Sequence, residues 1–132
     1  MRLAAAVLLP LLVFPAATGH AQAASGEEVY RQVCFACHAE GKDKAPKFGD
    51  RKMWAPLIKE GQSKLTADGW LGVRAMPPRG GKADLSLAEF ARAVAHMARA
   101  GGGSWKDPDA AVLANIEKRV KEREAARAAK KK

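Results

Sequence analysis

One five-residue stretch, Cys34-Phe35-Ala36-Cys37-His38, constrains this chain more than any other feature of its sequence. It holds both cysteines of the 132-residue chain, which excludes a scaffold of several disulfides and a four-cysteine zinc site. The spacing Cys-x-x-Cys-His is typical of c-type haem attachment. There, two thiols form thioethers along one haem edge and the histidine is held under the iron. We therefore predict one haem c, covalently bound through Cys34 and Cys37, with His38 as the proximal ligand.

Three other uses of these residues are open on the motif alone. A redox-active disulfide between Cys34 and Cys37 would make the chain a thiol-disulfide oxidoreductase, although that motif normally stands in a βαβ context and no alternating strand pattern is present. A plain structural disulfide is the second alternative. A metal site built on these two cysteines and His38 is the third, and it lacks a convincing fourth ligand.

The N-terminal segment has the features of an export signal. Arg2 supplies a positive charge, residues 3–17 are almost wholly apolar, and Ala21-Gln22-Ala23 provides the small-x-small pattern of a cleavage site. We predict a cleaved signal peptide over residues 1–23, a mature chain that begins near Ala24, and a periplasmic location. An uncleaved N-terminal anchor is the alternative.

The rest of the chain shows helical signals, which predicts an all-α fold. Ser25 and Ser86 each stand three residues before a glutamate and form two capping boxes. Predicted helices run toward Cys34 from the first box and over 54–60, 64–71, 87–100 and 109–128, with Pro56 in a first turn and Asp107-Pro108 as N-cap and N1. Residues 39–50 are expected to be a loop. We divide the mature chain into a haem domain, 24–101, and a flexible linker followed by an exposed basic helix, 102–132.

Four side chains are candidates for the other side of the iron: Met53, Met76, His96 and Met97. Met53 and Met97 are expected to pack, and His96 to lie on the surface. Met76 stands in a rigid Gly/Pro-flanked loop, where Pro77 forces it out of helical geometry, so it is the predicted distal ligand, with a gap-filling core role as the alternative. His/Met ligation fills both axial positions and favours the ferrous state, which predicts single-electron transfer and no substrate site.

Several blocks in order resemble a class I cytochrome c, most closely the bacterial cytochrome c5 family. The blocks are Cys34-Phe35-Ala36-Cys37-His38-Ala39-Glu40-Gly41, Ala45-Pro46-Lys47-Phe48-Gly49-Asp50, Trp54-Ala55-Pro56, Ala75-Met76-Pro77-Pro78-Arg79-Gly80-Gly81 and Leu85-Ser86. The resemblance implies three to five short helices wrapped around one haem, with the first and last core helices crossing. It also implies that the Pro46 carbonyl accepts from the His38 ring, and that Trp54, Leu57, Ile58 and Pro77 help to line the haem pocket. The segment after Gly101 is outside the usual core of this family.

The distribution of charge along the chain indicates which classes of partner the protein could bind. The net charge is +9, and residues 24–105 and 106–132 each carry +4. We expect an acidic redox protein as partner, with peripheral contact between the basic tail and an anionic membrane as a second possibility, and no nucleic acid. The predicted function is that of a periplasmic monohaem electron carrier rather than an enzyme. The alternatives are a dedicated haem subunit of a larger oxidoreductase and, more distantly, the thiol-disulfide oxidoreductase.

Overall fold

The computed structural model describes residues 22–132, which form five helices and no strand. The predicted all-α fold is therefore confirmed for this part of the chain, while the expected signal peptide lies almost wholly outside it. The first helix, α1, consists of three consecutive parts, Gly26–Val29, the π-helical Tyr30–Cys34 and Phe35–His38. The others are α2 (Arg51–Glu60), α3 (Gln62–Leu71), α4 (Leu87–Ala100) and α5 (Ala110–Ala129). Two short 3₁₀ segments, Lys42–Lys44 and Pro78–Gly81, lie in the loops.

Helices α1 and α4 cross with their backbones almost in contact. Both predicted capping boxes are present, at Ser25–Glu28 and at Ser86–Glu89, and each fixes where its helix begins. At the crossing, a Cβ added to Gly26 would lie 2.3 Å from the carbonyl oxygen of Arg92. Only glycine permits this approach, and it brings the motif helix against the most buried helix of the core.

Helix α2 begins three residues earlier than expected. Asp50 is its N-cap and accepts hydrogen bonds from the backbone amides of Lys52 and Met53 at 2.9 and 3.0 Å. Pro56 therefore lies inside the helix and not in the first turn, so that prediction is wrong. A start near Trp54 with Pro56 in the first turn ignores Asp50, whose carboxylate satisfies two amides that have no partner within the helix.

The C-terminal helix also departs from expectation. Its N-cap is Asp109, whose carboxylate accepts from the Val112 amide at 2.9 Å, so the predicted Asp107-Pro108 cap is wrong. The helix is not simply exposed, because Ile116 and Val120 are buried against α3 and α4. Before it, Gly101 packs so closely on the Trp54 side chain that a Cβ there would lie 2.4 Å from both the Cβ and the Cγ of Trp54. The segment expected to be a flexible linker, which begins at residue 102, therefore directly follows a close contact to α2.

No helix within residues 22–132 is long and apolar enough to cross a membrane.

The close crossing predicts a strong effect of one added methyl group. A Gly26→Ala variant should lose about 1–3 kcal/mol of unfolding free energy, because the new Cβ meets the rigid backbone of α4. Chemical denaturation of the holoprotein measures this. The control is Gln32→Ala on the exposed face of the same helix, which should stay within about 0.5 kcal/mol of the wild type. Equal stabilities of the two variants would contradict the crossing.

Candidate functional site

His38 ends α1 and is held by two contacts with the loop that follows. Its side chain is buried, and its Nδ1 lies 2.9 Å from the carbonyl oxygen of Pro46. Its own carbonyl accepts from the Phe48 amide at 2.7 Å. Because a carbonyl oxygen only accepts, Nδ1 carries the proton in this bond, and the lone pair of the neutral ring is on Nε2. The ring therefore has the tautomer and the fixed orientation that a metal-ligating histidine needs.

The two cysteines share one face of the helix with this histidine. Cys34, Cys37 and His38 stand at positions i, i+3 and i+4, which are neighbours on a helical surface. Cys34 is buried, Cys37 is exposed, and the two thiols are not joined in a disulfide. Burial raises the pKa of the Cys34 thiol to about 12, and the neighbouring Cys37 adds to the shift.

Met76 is presented by a tight turn after α3. The Val73 amide donates to the Met76 carbonyl at 3.1 Å, and the Met76 amide donates to the Val73 carbonyl at 2.9 Å. The turn is closed by Arg74 in a left-handed conformation (φ 52°), and Pro77 then continues in an extended one. The half-buried Met76 side chain packs against the core cluster that contains Cys34, and its methyl group lies beside Gly69, where a Cβ would be 3.6 Å away.

The residues expected to line the pocket have different environments. Trp54 is buried and its indole N–H donates to the Lys47 carbonyl at 3.0 Å. Leu57 and Ile58 are half-buried and pack on the same core cluster as Met76. Pro77, which follows Met76 in the chain, is exposed.

The other candidate ligands lie elsewhere. Met97 is buried in the core, as expected, whereas Met53 is exposed rather than packed. His96, expected on the surface, is half-buried and its ring lies 5.7 Å from that of Tyr30 and 5.5 Å from that of Phe48.

This aromatic cluster is the part of the site that sequence reasoning missed. Tyr30 stacks on Phe48 with ring centroids 4.4 Å apart, so the loop that bonds to His38 is fastened to α1 by a second contact. Phe35 meets the edge of Tyr30 at 6.1 Å. A phenylalanine in an otherwise Gly/Lys/Asp/Pro-rich loop was the available signal, since such a side chain needs an apolar surface to cover it.

The donor set fits haem better than a bare ion. Within residues 22–132, no group of three or more His, Cys, Asp or Glu side chains is arranged to hold a metal ion. What the structure offers instead is two unpaired thiols on one helical face, an imidazole with its Nε2 lone pair available, and a thioether on the same core. These are the groups that thioether attachment and two axial bonds require.

Comparisons with known proteins agree with this geometry. The sequence model of the family described as cytochrome C oxidase, cbb3-type, subunit III matches residues 21–97. Cytochrome c-555 of Chlorobaculum tepidum is 40% identical over 79 residues, which are 57% of this chain and 73% of that protein. Cytochrome c5 of Azotobacter vinelandii is 40% identical over 77 residues, which are 57% of this chain and 93% of that protein.

A solved structure shares the fold. It is a chain from the crystal structure of an electron transfer complex of nitrite reductase with cytochrome c. It is 46% identical, with a TM-score of 0.56, and the match covers 58% of this chain and 93% of that one. This chain belongs to the class I cytochromes c, in the c5-like group.

Membership confirms the predicted family and cofactor. The cytochrome carries covalently attached haem c, and its relatives are electron carriers rather than enzymes. The family match ends at residue 97, so helix α5 lies beyond it.

His96 should give the stability of the cytochrome a pH dependence. Burial, together with the Arg99 and Arg31 charges, lowers the pKa of His96, while Glu27 and Asp107 oppose the shift. In the unfolded chain the His96 ring is protonated with a pKa of about 6.5, whereas in the folded protein it is protonated only at a lower pH. The stability that neutral His96 contributes is therefore present above about pH 6.5 and is lost as the pH falls through the lowered folded pKa.

Denaturation of the wild type and of a His96→Phe variant between about pH 7.5 and pH 5 measures this effect. The variant keeps a ring against Tyr30 and Phe48 and should lose stability less steeply on acidification. Parallel curves for the two proteins would contradict the assignment.

Proposed function

We propose that this cytochrome is a periplasmic monohaem electron carrier in which Cys34 and Cys37 anchor the haem and His38 and Met76 ligate the iron. The observation that carries the proposal is the bond from His38 Nδ1 to the Pro46 carbonyl, since it leaves Nε2 available at the end of the motif helix. In this proposal residues 24–101 are the haem domain, and 102–132 are a connecting segment and an added helix.

The protein's own part in electron transfer is to hold two ligands still. When bound, haem supplies an iron that gains and loses one electron. The Pro46 carbonyl keeps the His38 ring in one tautomer, and the turn from Val73 to Met76 limits the positions of the thioether. With His38 and Met76 both bound to the iron, the chain would leave no position there for a substrate, and the fixed geometry of these two side chains would change little when the charge changes. Trp54, Leu57, Ile58 and Pro77 are proposed to cover the haem and limit its contact with water.

The thiol-disulfide alternative is poorly supported by the same site. An attacking cysteine in such enzymes is a thiolate with a lowered pKa, whereas burial raises the pKa of Cys34 to about 12. The described residues also form an all-helical fold and not a βαβ context.

Export is supported by where the folded core begins. The carbonyl of Ala24 accepts from Arg92 Nε at 2.9 Å, and its amide lies 3.4 Å from a carboxylate oxygen of Glu89. Among residues 22–132, Ala24 is thus the first that side-chain hydrogen bonds tie to α4, and it directly follows the proposed cleavage site. Removal of residues 1–23 would leave these bonds in place.

The proposed partner is an acidic redox protein. The solved relative comes from a complex of nitrite reductase with cytochrome c, which favours a protein partner for this chain as well. Five basic residues flank the proposed haem loops, and four of them are exposed: Lys42, Lys44, Lys47 and Arg74. Lys47 Nζ lies 3.6 Å from a Glu40 carboxylate oxygen. Arg79 is engaged within the molecule, because its guanidinium lies 4.2 Å from the centre of the Trp70 ring. Contact of the basic tail with an anionic membrane remains a secondary proposal.

One alternative has a specific observation behind it. The matching family model is described as a subunit of an oxidase, which favours a dedicated haem subunit of a larger complex. The two proposals differ in the mass at which the cytochrome elutes from native extracts.

The ligand assignment predicts a change in the optical spectrum. A Met76→Ala variant should lose the weak far-red band that Met–iron ligation gives the ferric form, and its reduction potential should fall by on the order of 100 mV. The exposed Met53 provides a matched control, and Met53→Ala should keep both properties. Absorption spectra and redox titration measure them. A far-red band that persists in Met76→Ala would refute the assignment of this residue.

The partner proposal predicts salt-dependent electron transfer. The rate with hexacyanoferrate(III), an anionic probe, should fall about 3- to 10-fold between low salt and about 0.5 M salt, because ions screen the attraction. A Lys42→Glu/Lys44→Glu variant should be slower at low salt, and Lys121→Glu/Lys131→Glu makes the same charge change on α5 and the residues that follow it. Stopped-flow kinetics that show no salt dependence, or equal losses in the two variants, would contradict steering by the haem loops.

A further inference from the structure

Helix α5 is fastened to the end of α3 from which the Met76 turn departs. Its Ile116 and Val120 form a buried cluster with Ala67 of α3 and Ala91 of α4. One turn further along, Arg123 forms an ion pair with Asp68 of α3. The helix is therefore seated on α3 by both apolar and charged contacts.

Arg127 makes the contact nearest to the proposed ligand. Its Nη1 donates to the Leu71 carbonyl and its Nη2 to the Gly72 carbonyl, each at 3.0 Å. These carbonyls close α3, where the last four C=O groups of a helix lack partners within it and a positive charge is favourable. A guanidinium is suited to this task because its planar fork satisfies two acceptors at once.

Gly72 connects the Arg127 hydrogen bonds to the Met76 backbone. It adopts a left-handed conformation (φ 82°), and a Cβ there would lie 2.9 Å from Pro78 and 3.1 Å from the Met76 carbonyl oxygen. The next residue, Val73, exchanges two hydrogen bonds with Met76. The path from Arg127 to Met76 therefore runs through backbone groups in direct contact.

We propose that α5 braces the Met76 turn, with Arg127 as the positioning residue that disfavours release of the thioether from the iron. The inference rests on the proposed role of Met76 as a ligand. It gives a function to a helix that lies beyond the family match, which ends at residue 97. Arg127 makes no hydrogen bond to Met76 itself and acts through the backbone carbonyls of Leu71 and Gly72.

Imidazole binding to the ferric holoprotein tests this brace. Imidazole must displace Met76, so its apparent affinity reports how easily the turn opens. Arg127→Ala should bind imidazole about fivefold more tightly, as expected for the loss of hydrogen bonds of ordinary net strength. Arg127→Lys keeps the charge but cannot bond both carbonyls, and it should behave more like the alanine variant than like the wild type. Lys121→Ala removes the same charge from an exposed position of α5 and should bind as the wild type does.

Hydrogen exchange provides a second readout that does not depend on ligation. The amides of Val73 and Met76 should exchange faster in Arg127→Ala, while those of the α1–α4 crossing should not. If the wild type lacks the far-red band, the assignment of Met76 fails, and exchange at these two amides still decides whether Arg127 holds the turn. Unchanged imidazole affinity and unchanged exchange in Arg127→Ala, or equal changes in Lys121→Ala, would overturn the inference.

Discussion

The contact of α1 with α4 at Gly26 is the constraint on which the rest of the structure depends. A small domain has few apolar residues to bury, and it uses them best when two helices approach until their backbones nearly touch. Gly26 and the fully buried Ala93 and Ala98 of α4 permit that approach. The crossing fixes the axis of α1, and so fixes the direction in which Cys34, Cys37 and His38 project. Every later contact of the site, from the Pro46 carbonyl to the stack of Phe48 on Tyr30, is made to a helix already held in place.

The two proposed axial ligands are supported in different ways. His38 ends a helix and is bonded through its ring and its carbonyl to one short loop, so the sequence between it and Phe48 alone can orient it. Met76 stands in a four-residue turn with its own hydrogen bonds, and a turn of that length is held mainly by what lies at its ends. At one end are Gly72 and the C-terminus of α3. At the other, Arg79 covers Trp70 and donates to the Ala83 carbonyl at 2.6 Å.

Much of this arrangement could be predicted because its causes are local. The capping boxes at Ser25 and Ser86 and the glycines that end α2 and α3 act within a few residues, and each was recognisable in the sequence. The wrong predictions also concern a local feature, namely which residue begins each helix. Pro56 and Pro108 were given the role of starting helices, although Asp50 and Asp109 have the side chains that bond to the free amides. The contacts that lie far apart in sequence, such as Gly26 on Arg92, Gly101 on Trp54 and His96 on Phe48, have no local signature. They follow only from the packing of complete helices.

In the C-terminal segment, packing divides the basic side chains into two groups with different roles. The net charge of +4 over residues 106–132 suggested one solvated basic surface, but the arginines and lysines of this segment have separate uses. Arg123 and Arg127 continue the buried stripe of Ile116 and Val120 and bond to groups at the end of α3, so they lie on the side of the helix that meets it. The lysines, including Lys118, Lys121 and the final three, are exposed. Arginine satisfies several fixed acceptors at once, whereas the ammonium of lysine is best left in water. The exposed lysines are therefore the groups that can meet a partner or a membrane, whereas Arg123 and Arg127 are better understood as part of the fold.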